Sequence, residues 1–282
     1  MANETTYALI SSQLPSIYEA TMMYASETFV LPSIVTVYQD ATGLSPRVFT
    51  EYSEGTAAII AETADLSTQV FSRSVSATLT PVEVGASFFV TDSRAESDIV
   101  DVLADLSQHI GYTVFSKVES DLASLFNGFT AGTIGAASTA LTWSHIFQAR
   151  AVLAANRVPS PYNLVLSEYQ WLDLASAANV AALSAPAPLR IRDDIQDAYH
   201  VATIGGDINV YTTPSIAAGT DVYGAMFSRR AIALDVRRRL RIEPERDASR
   251  RGTEVNATMV YAYGIVRPTW GVSIRSDGSA PA

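Results

Sequence analysis

A long helical stripe of apolar residues in the middle of the chain constrains the fold more than any other feature. The stripe repeats at spacings of three and four and ends at Asn127-Gly128, a suitable helix stop. Ser93 and Glu96 have the spacing of a capping box, which satisfies two backbone N–H groups at a helix start. Such a helix would be about 50 Å long at 1.5 Å per residue, which suits a structural spine better than a compact enzyme. Its members are Ile99, Val102, Leu103, Leu106, Ile110, Val114, Val118, Leu122, Leu125 and Phe126.

The region before this spine has the patterns of β-strands. Ile34–Tyr38 and Arg47–Tyr52 are predicted strands. Between residues 67 and 91, apolar residues alternate with Ser, Thr and Arg, and this period of two marks strands with one polar face. We therefore expect a β-hairpin over 48–92 that projects from the body of the protein.

The region after the spine mixes helices and strands. Small residues at 128–135 form a linker and a candidate boundary. Thr142 could cap one helix, and Ser167 with Gln170 could form the capping box of another. Because no alternating βαβ series appears, the pattern predicts the α+β class and disfavours a doubly wound sheet. The predicted strands are Tyr162–Leu166, Tyr199–Ile204 and Ile208–Thr212, followed by further strand patterns from Val222 to Val272.

The composition allows a sizeable core. The chain has 282 residues, of which 48% are hydrophobic, enough for one elaborated domain or two smaller ones. It has no cysteine, so disulfides and thiolate metal sites are excluded. The first residues do not resemble a signal peptide, and no apolar run is long enough to predict a membrane helix. An amphipathic helix is predicted over Ser16–Leu31, ended by Pro32, and it is either a core helix or an arm that grips a neighbour.

Charge is distributed unevenly along the chain. Residues 1–127 carry sixteen acids and four bases, a net of −12, and the remainder carries fifteen bases and thirteen acids, a net of +2; together they give the overall −10. The imbalance indicates either complementary surfaces that meet between subunits or simply a solvated acidic half. Lys117 is the sole lysine beside eighteen arginines, and arginine suits desolvated pairing with carboxylates.

No catalytic, cofactor or metal site is predicted. The three histidines are scattered, and only His109 has a nearby acid, Asp105, in a spacing typical of a surface contact. Zinc-protease, nucleophile-elbow and phosphate-loop motifs do not occur, and the glycines at 128, 132 and 135 do not match a dinucleotide-binding pattern. A cation at Asp193, Asp194 and Asp197 would be opposed by flanking arginines, so we expect none there.

A basic cluster near the C-terminus allows three interpretations. Its arginines alternate with acids, which weakens an interpretation as a nucleic-acid surface. Exposed salt bridges within the subunit are the plainest explanation, but ion pairs between subunits are favoured because mixed arginine-rich strips suit partly desolvated contacts. The cluster comprises Arg237, Arg238, Arg239, Arg241, Arg246, Arg250 and Arg251.

The order of these elements resembles the Hong Kong 97-type coat-protein fold of tailed-phage (Caudoviricetes) major capsid proteins. The resemblance covers essentially the whole chain and is sharpest near the C-terminus. It rests there on four segments: Tyr223-Gly-Ala-Met-Phe-Ser-Arg-Arg-Ala-Ile-Ala-Leu234, Glu245-Arg-Asp-Ala-Ser-Arg-Arg-Gly-Thr-Glu254, Ala257-Thr-Met-Val-Tyr-Ala-Tyr-Gly264 and Arg267-Pro-Thr-Trp-Gly271.

The resemblance implies a domain plan. Residues 1–47 would be an N-terminal arm, 48–92 the extended loop lying over a neighbour, 93–135 with 226–282 the peripheral domain, and 136–225 the axial domain. Candidate contacts between subunits are then the basic cluster with Arg73 on one side and the acids Glu54, Glu62 and Asp65 of the loop on the other.

The resemblance also implies a function and partners. The chain would self-assemble into pentamers and hexamers of an icosahedral shell that encloses double-stranded DNA without specific recognition. Portal and scaffold proteins, and in some relatives a decoration protein, would be its partners, and assembly would take place in the host cytoplasm.

Two departures from relatives shape these expectations. Some relatives weld their shells with Lys–Asn bonds from a lysine in the extended loop, but this loop has no lysine, so we expect no crosslink. No long charged helical prodomain precedes the fold, so a scaffold is expected to be a separate protein. The alternatives are an encapsulin-like nanocompartment shell, which shares the fold, and a hydrolase whose site the motifs do not reveal.

Overall fold

The computed structural model describes residues 29–280 except 53–54, 58, 61–64, 66–67, 98–101 and 183–199. The α-helices are α1 (Leu31–Ile34), α2 (Asp92–Ser97), α3 (Val102–Ser124), α4 (Trp143–Ala155) and α5 (Glu168–Ala182), and there are 3-10 helices at Leu125–Gly128 and Pro268–Trp270. The first seven strands are β1 (Thr36–Tyr38), β2 (Arg47–Tyr52), β3 (Arg73–Leu79), β4 (Val82–Thr91), β5 (Thr133–Gly135), β6 (Tyr162–Leu166) and β7 (His200–Ile204). The others are β8 (Ile208–Thr212), β9 (Gly219–Ser228), β10 (Ile232–Asp247), β11 (Gly252–Ile265) and β12 (Gly271–Gly278).

Helix α3 is the predicted spine. Its buried side chains follow a spacing of four through Leu106, Ile110, Val114, Val118 and Leu122, as the stripe predicts. The described helix has 23 residues, or about 35 Å at 1.5 Å per residue, and residues 98–101, between it and α2, lie outside the described residues. The single helix of about 50 Å therefore stays a prediction.

The capping box predicted at Ser93 and Glu96 is wrong by two residues. Helix α2 begins at Asp92, and the Arg94 N–H donates to the Thr91 hydroxyl at 3.4 Å. Thr91 is the last residue of β4 and pairs with Gly252 of β11, which holds it in the extended conformation that an N-cap residue needs. Strand pairing therefore decides where the helix begins.

A four-stranded sheet in the order β1-β10-β11-β4 packs against the spine. Strand β1 is parallel to β10, and the other pairs are antiparallel. On β11, alternate residues Val255, Ala257, Met259 and Tyr261 are buried in the cluster that contains the α3 stripe. The period of two on β11 thus meets the period of 3.6 on α3 in one apolar layer.

A six-stranded mixed sheet in the order β5-β12-β9-β6-β8-β7 forms the second part of the fold. One face packs on α4 and α5 through Leu164, Leu166 and Ile274, and the other shares the spine core through Val165 and Phe227. Strand β6 has the predicted bounds, and all five of its residues are buried, which explains its continuous apolar run.

The local signals that begin α4 and α5 are confirmed. Ser167 and Gln170 bond reciprocally: the Gln170 N–H donates to the Ser167 hydroxyl at 3.2 Å, and the Ser167 N–H donates to Gln170 Oε1 at 3.0 Å. Thr142 precedes α4, and its N–H donates to His145 Nδ1 at 3.4 Å. The predicted hairpin of β7 and β8 is also present and antiparallel.

Strands β2 and β3 form a separate two-stranded antiparallel sheet, here called the hairpin (residues 47–79). Strand β4, which was expected to belong to a hairpin over 48–92, instead pairs with β11 from Val82 to Thr91. The reason is that β4 gains a partner along its whole length there. Strand β12 belongs to the segment 226–282 that was expected to form the peripheral domain with the spine, but it lies in the six-stranded sheet and not in the four-stranded one.

Residues 16–28 of the helix predicted over Ser16–Leu31 lie outside the described residues, as do Asp193, Asp194 and Asp197. Pro32 does not end a helix but stands in the first turn of α1, where its missing N–H costs nothing. In the part of the chain that the structure describes, no helix is long and apolar enough to cross a membrane.

Candidate intersubunit contact surfaces

Five of the predicted contact arginines lie on β10, and three of them make single pairs at the surface of their own chain. The pairs are Arg238–Glu83, Arg239–Gln39 and Arg241–Glu243. The Arg241 side chain remains 58% exposed and that of Arg238 40% exposed, and exposed pairs of this kind contribute only about 0–1 kcal/mol. The strip therefore presents both charges to solvent along one strand, where a neighbouring copy could pair with them.

The end of β10 and the turn to β11 place the rest of the cluster beside α2. Arg246 makes two bonds of 2.7 Å to Asp92, and this bidentate pair lowers the pKa of the Asp92 carboxyl. Arg250 lies over the Phe89 ring with its guanidinium carbon 4.1 Å from the ring centroid. Arg251 is exposed at the tip with a φ of 48°. The tip of the turn thus exposes two bases, Arg250 and Arg251, beside Asp247, which accepts the Arg250 N–H at 3.1 Å.

Arg237 differs from the other arginines because it is buried. Its side chain is 5% exposed and donates to Asp235 at 2.8 Å, and the Asp235 side chain is fully buried. Arg47, at the start of β2, donates to the same carboxylate from Nε at 2.9 Å and also bonds Asp40. One buried acid therefore joins two arginines from different sheets, and we call Asp235, Arg237, Arg47 and Asp40 the root cluster.

Arg47, Asp235 and Asp40 are not among the contact residues predicted from the sequence. A signal for one of them was present: Asp235 is an acid within the apolar run Ile232–Val236, where a buried charge requires a partner. The partner could not be named, because Arg47 lies 188 residues away in the chain.

The hairpin has two unlike faces. One face packs on the body through Phe49 and Leu79, and the Ser76 hydroxyl donates to the Val266 carbonyl at 2.6 Å. The other presents Val48, Val75 and a stacked pair of Tyr52 and Phe71 whose ring centroids are 4.7 Å apart. These four side chains are 51–75% exposed, and we call them the outer hairpin face.

The charged candidates of the hairpin are only partly described. Arg73 and Asp65 are exposed, whereas Glu54 and Glu62 lie outside the described residues. The structure does not bring Arg73 or Asp65 against the basic cluster of the same chain, and their role in contacts between subunits stays a prediction.

Two buried acids of the spine hold other parts of the chain in place. Glu119 is 1% exposed and accepts the Leu31 N–H at 3.1 Å and the Thr213 hydroxyl at 2.8 Å. Burial raises the pKa of Glu119. Asp121 accepts the Tyr261 hydroxyl at 2.7 Å and Lys117 Nζ at 2.5 Å. The sole lysine is therefore engaged on the spine, far in sequence from the hairpin.

Two of the three histidines have a structural role or are simply exposed. His145 accepts a bond at the start of α4, and His109 is exposed on α3. Among the residues that the structure describes, no group of three potential ligands could hold a metal ion. A cleft of about 850 Å³ lies between α1, the base of the hairpin and the β9–β10 turn, and its charged lining residues are Arg229, Arg230 and Arg267.

Comparison with solved structures identifies the architecture. The capsid of Ralstonia phage GP4 superposes with a TM-score of 0.70 at 10% identity, covering 92% of both chains. The structure of Mycobacterium phage Che8 superposes with a TM-score of 0.66 at 15% sequence identity, covering 88% of this chain and 91% of that chain. The capsid of a native GTA particle superposes with a TM-score of 0.59 at 12% sequence identity, covering 90% of both chains. No curated protein sequence matches the chain.

These likenesses define a Hong Kong 97-like α+β fold, as predicted. The family described as Phage capsid protein matches residues 75–274. The chain belongs to this family. It is a major capsid protein of the tailed-phage type, a structural protein that forms an icosahedral viral shell, and the nanocompartment alternative is not favoured.

Proposed function

We propose that the subunit builds pentamers and hexamers of a shell that encloses double-stranded DNA and is held together without Lys–Asn crosslinks. The observation that carries this proposal is the outer hairpin face. Exposed apolar side chains gathered on one surface mark a contact with another protein. A closed shell needs heterologous contacts that repeat from copy to copy, and a projecting hairpin provides one half of such a contact.

Charge supports the same arrangement. The loop beyond β2 contributes the acids Glu54, Glu62 and Asp65, and the β10–β11 tip contributes the bases Arg250 and Arg251. Acids of the loop that pair with the basic residues of a neighbouring copy would guide association and register more than they add affinity. In this proposal 1–47 is the arm and 93–135 with 226–282 the peripheral domain, while 136–225 is the axial domain. Of the extended loop 48–92, only the part up to Leu79 projects, since β4 pairs with β11.

The absence of covalent crosslinks follows from the position of the lysine. Lys117 bonds Asp121 on the spine, and the hairpin segment 47–79 has no lysine. Mature particles boiled in denaturant should therefore run as monomers on gels. A ladder of multimers would contradict this part of the proposal.

The remaining partners follow from the class of protein. DNA would be retained by enclosure because the chain carries a net charge of −10, which opposes tight binding of phosphates. Portal and scaffold proteins, and a decoration protein if the shell has one, would join it during assembly in the host cytoplasm. The subunit would act through contacts and not as an enzyme.

Electron microscopy of the purified protein tests the proposal. Val75→Asp places a charge on the outer hairpin face, and we expect it to raise the concentration needed for shell formation about ten-fold or more, since 1.4 kcal/mol per contact has that effect. Ser74→Asp is the matched control: it adds the same charge to the adjacent residue, which faces the other way. Equal assembly of both variants would contradict the contact.

The contents of the particles separate the two kinds of shell. Particles with packaged DNA support the phage capsid, whereas small uniform shells that contain a cargo enzyme would support a nanocompartment. Wild-type protein that remains monomeric under all assembly conditions would overturn both.

A further inference from the structure

The root cluster stands where the hairpin joins the body of the subunit. Arg47 is the first residue of β2 and pairs in register with Leu79, the last residue of β3. The first residue of β2 and the last residue of β3 thus lie side by side at the base of the hairpin. Beyond them the hairpin sheet runs outward to Tyr52 and Arg73, which are exposed.

Arg47 connects three elements at this level. Its Nε and Nη2 donate to Asp235 of β10 at 2.9 and 3.4 Å, and Nη2 also donates to Asp40 beyond β1. The guanidinium carbon lies 4.7 Å from the centroid of Tyr38, whose ring packs beside Phe49 of β2. The two carboxylates and the Tyr38 ring together allow the planar guanidinium only one orientation. Because Arg47 belongs to β2, they also restrict the direction of that strand.

The choice of charged residues here needs an explanation other than stability. A buried ion pair is weak evidence for stability, because well-packed apolar residues of similar volume often serve as well. A hydrogen-bonded ion pair is directional, because its hydrogen bonds form in only one geometry. The apolar contacts at the same place, to which Leu79, Phe49 and Val266 belong, are not directional. Two single polar contacts lie farther along the hairpin, from the Ser76 hydroxyl to the Val266 carbonyl at 2.6 Å and between Glu51 and Arg267 at 4.0 Å, and neither is bidentate.

A small change in the angle at the base of the hairpin becomes a large displacement at its outer end, where Tyr52 lies. Five residues separate Arg47 from Tyr52, which at about 3.3 Å per residue makes a lever of about 17 Å. A rotation of about 10° at the base would then move the tip by about 3 Å. Close-packed interfaces do not tolerate shifts of this size.

We propose that Arg47 is the positioning residue of the hairpin: its bonds to Asp235 and Asp40 set the angle at which the hairpin leaves the subunit, and hence which contacts with a neighbouring copy can form. This inference rests on the proposed function, in which the outer hairpin face meets a second copy.

The hairpin angle can be measured directly because the chain has no cysteine. Ser74→Cys and Ser120→Cys, both at exposed positions, place spin labels on the hairpin and on the spine of the full-length subunit, kept below its assembly concentration. Arg47→Lys keeps the charge but loses the planar fork. Ser74 pairs with Glu51, four residues or about 13 Å from Arg47, so we expect the same rotation to broaden or shift the distance distribution by about 2 Å.

The matched control is Arg275→Lys. Arg275 makes two bonds of 2.7 Å to Asp221, an arginine–aspartate pair on the six-stranded sheet away from the hairpin. This variant should leave the distance distribution as in wild type. An identical distribution for Arg47→Lys would overturn the proposal, as would equal broadening in both variants.

Folding and assembly readouts separate the remaining outcomes. If Arg47→Lys does not fold, Asp40→Asn decides, because Asp40 is 68% exposed and its loss leaves the core intact; an unchanged distribution then overturns the proposal. At assembly concentration, Arg47→Lys should yield open or irregular shells where wild type and Arg275→Lys close. Wild-type protein that forms no shells would refute the proposed function, whereas normal shells from a folded Arg47→Lys variant would refute only the positioning role.

Discussion

Replacing Tyr261 by phenylalanine tests whether the spine is held to the four-stranded sheet by a buried polar contact. The Tyr261 side chain is fully buried, and its hydroxyl donates to Asp121 Oδ2 at 2.7 Å. Burial raises the pKa of Tyr261, so the hydroxyl remains a donor at every working pH. Phenylalanine keeps the ring and its packing and removes only this donor.

The expected loss follows from the kind of hydrogen bond. A bond to a charged group contributes about 1.5–3 kcal/mol, and Asp121 would retain only Lys117 as a partner. We expect Tyr261→Phe to lower the free energy of unfolding by about 2 kcal/mol. Denaturant unfolding of the unassembled subunit should show this as a lower midpoint with an unchanged slope.

A double-mutant cycle with Asp121→Ala isolates the contact from other effects of each change. We expect a coupling energy of about 1.5 kcal/mol between the two substitutions. Tyr112→Phe is the control, since it removes the same hydroxyl from an exposed position of the spine and should stay within about 0.5 kcal/mol of wild type. A coupling energy near zero, or equal losses from Tyr261→Phe and Tyr112→Phe, would refute the reasoning.

Three further outcomes are expected from the same unfolding experiments. Burial raises the pKa of Glu119 above its ordinary 4.5, so the stability that the Glu119 carboxyl contributes is fully present below pH 4.5 and is lost as pH rises through the folded-state pKa. Glu119→Gln cannot ionise, and its stability relative to wild type should therefore increase between pH 4 and neutral pH. The opposite trend would contradict this. Ser167→Ala removes the capping box of α5 and should cost about 1 kcal/mol, with no loss counting against the cap. Leu122→Ala opens a cavity in the spine core and should cost about 2–5 kcal/mol, whereas a cost below about 1 kcal/mol would show that the core closes around it.

The elements predicted best from the sequence are those whose signals are local. The stripe from Leu106 to Leu122 identified the buried face of the spine because a period of 3.6 residues is a property of the helix alone. The capping box of Ser167 and Gln170 was predicted for the same reason, since its two bonds join residues three apart. The bounds of β6 followed from a short apolar run.

Elements defined by a distant partner were placed less well. The start of α2 moved from Ser93 to the cap at Thr91 because β11 holds the end of β4 in an extended conformation. The hairpin was expected to extend to residue 92 and instead ends at Leu79, because β4 pairs with β11. Alternation along a strand shows which face is apolar but not which strand lies beside it.

Patterns along the sequence were enough for the class of this protein: an α+β subunit with a spine, a lysine-free hairpin and closing segments that resemble phage capsid proteins. Which charges act together is visible only in the folded chain. Arg47 and Asp235 stand 188 residues apart, and no spacing in the chain links them. A buried charge is stable only beside a partner, and folding brings that partner from any distance in the sequence.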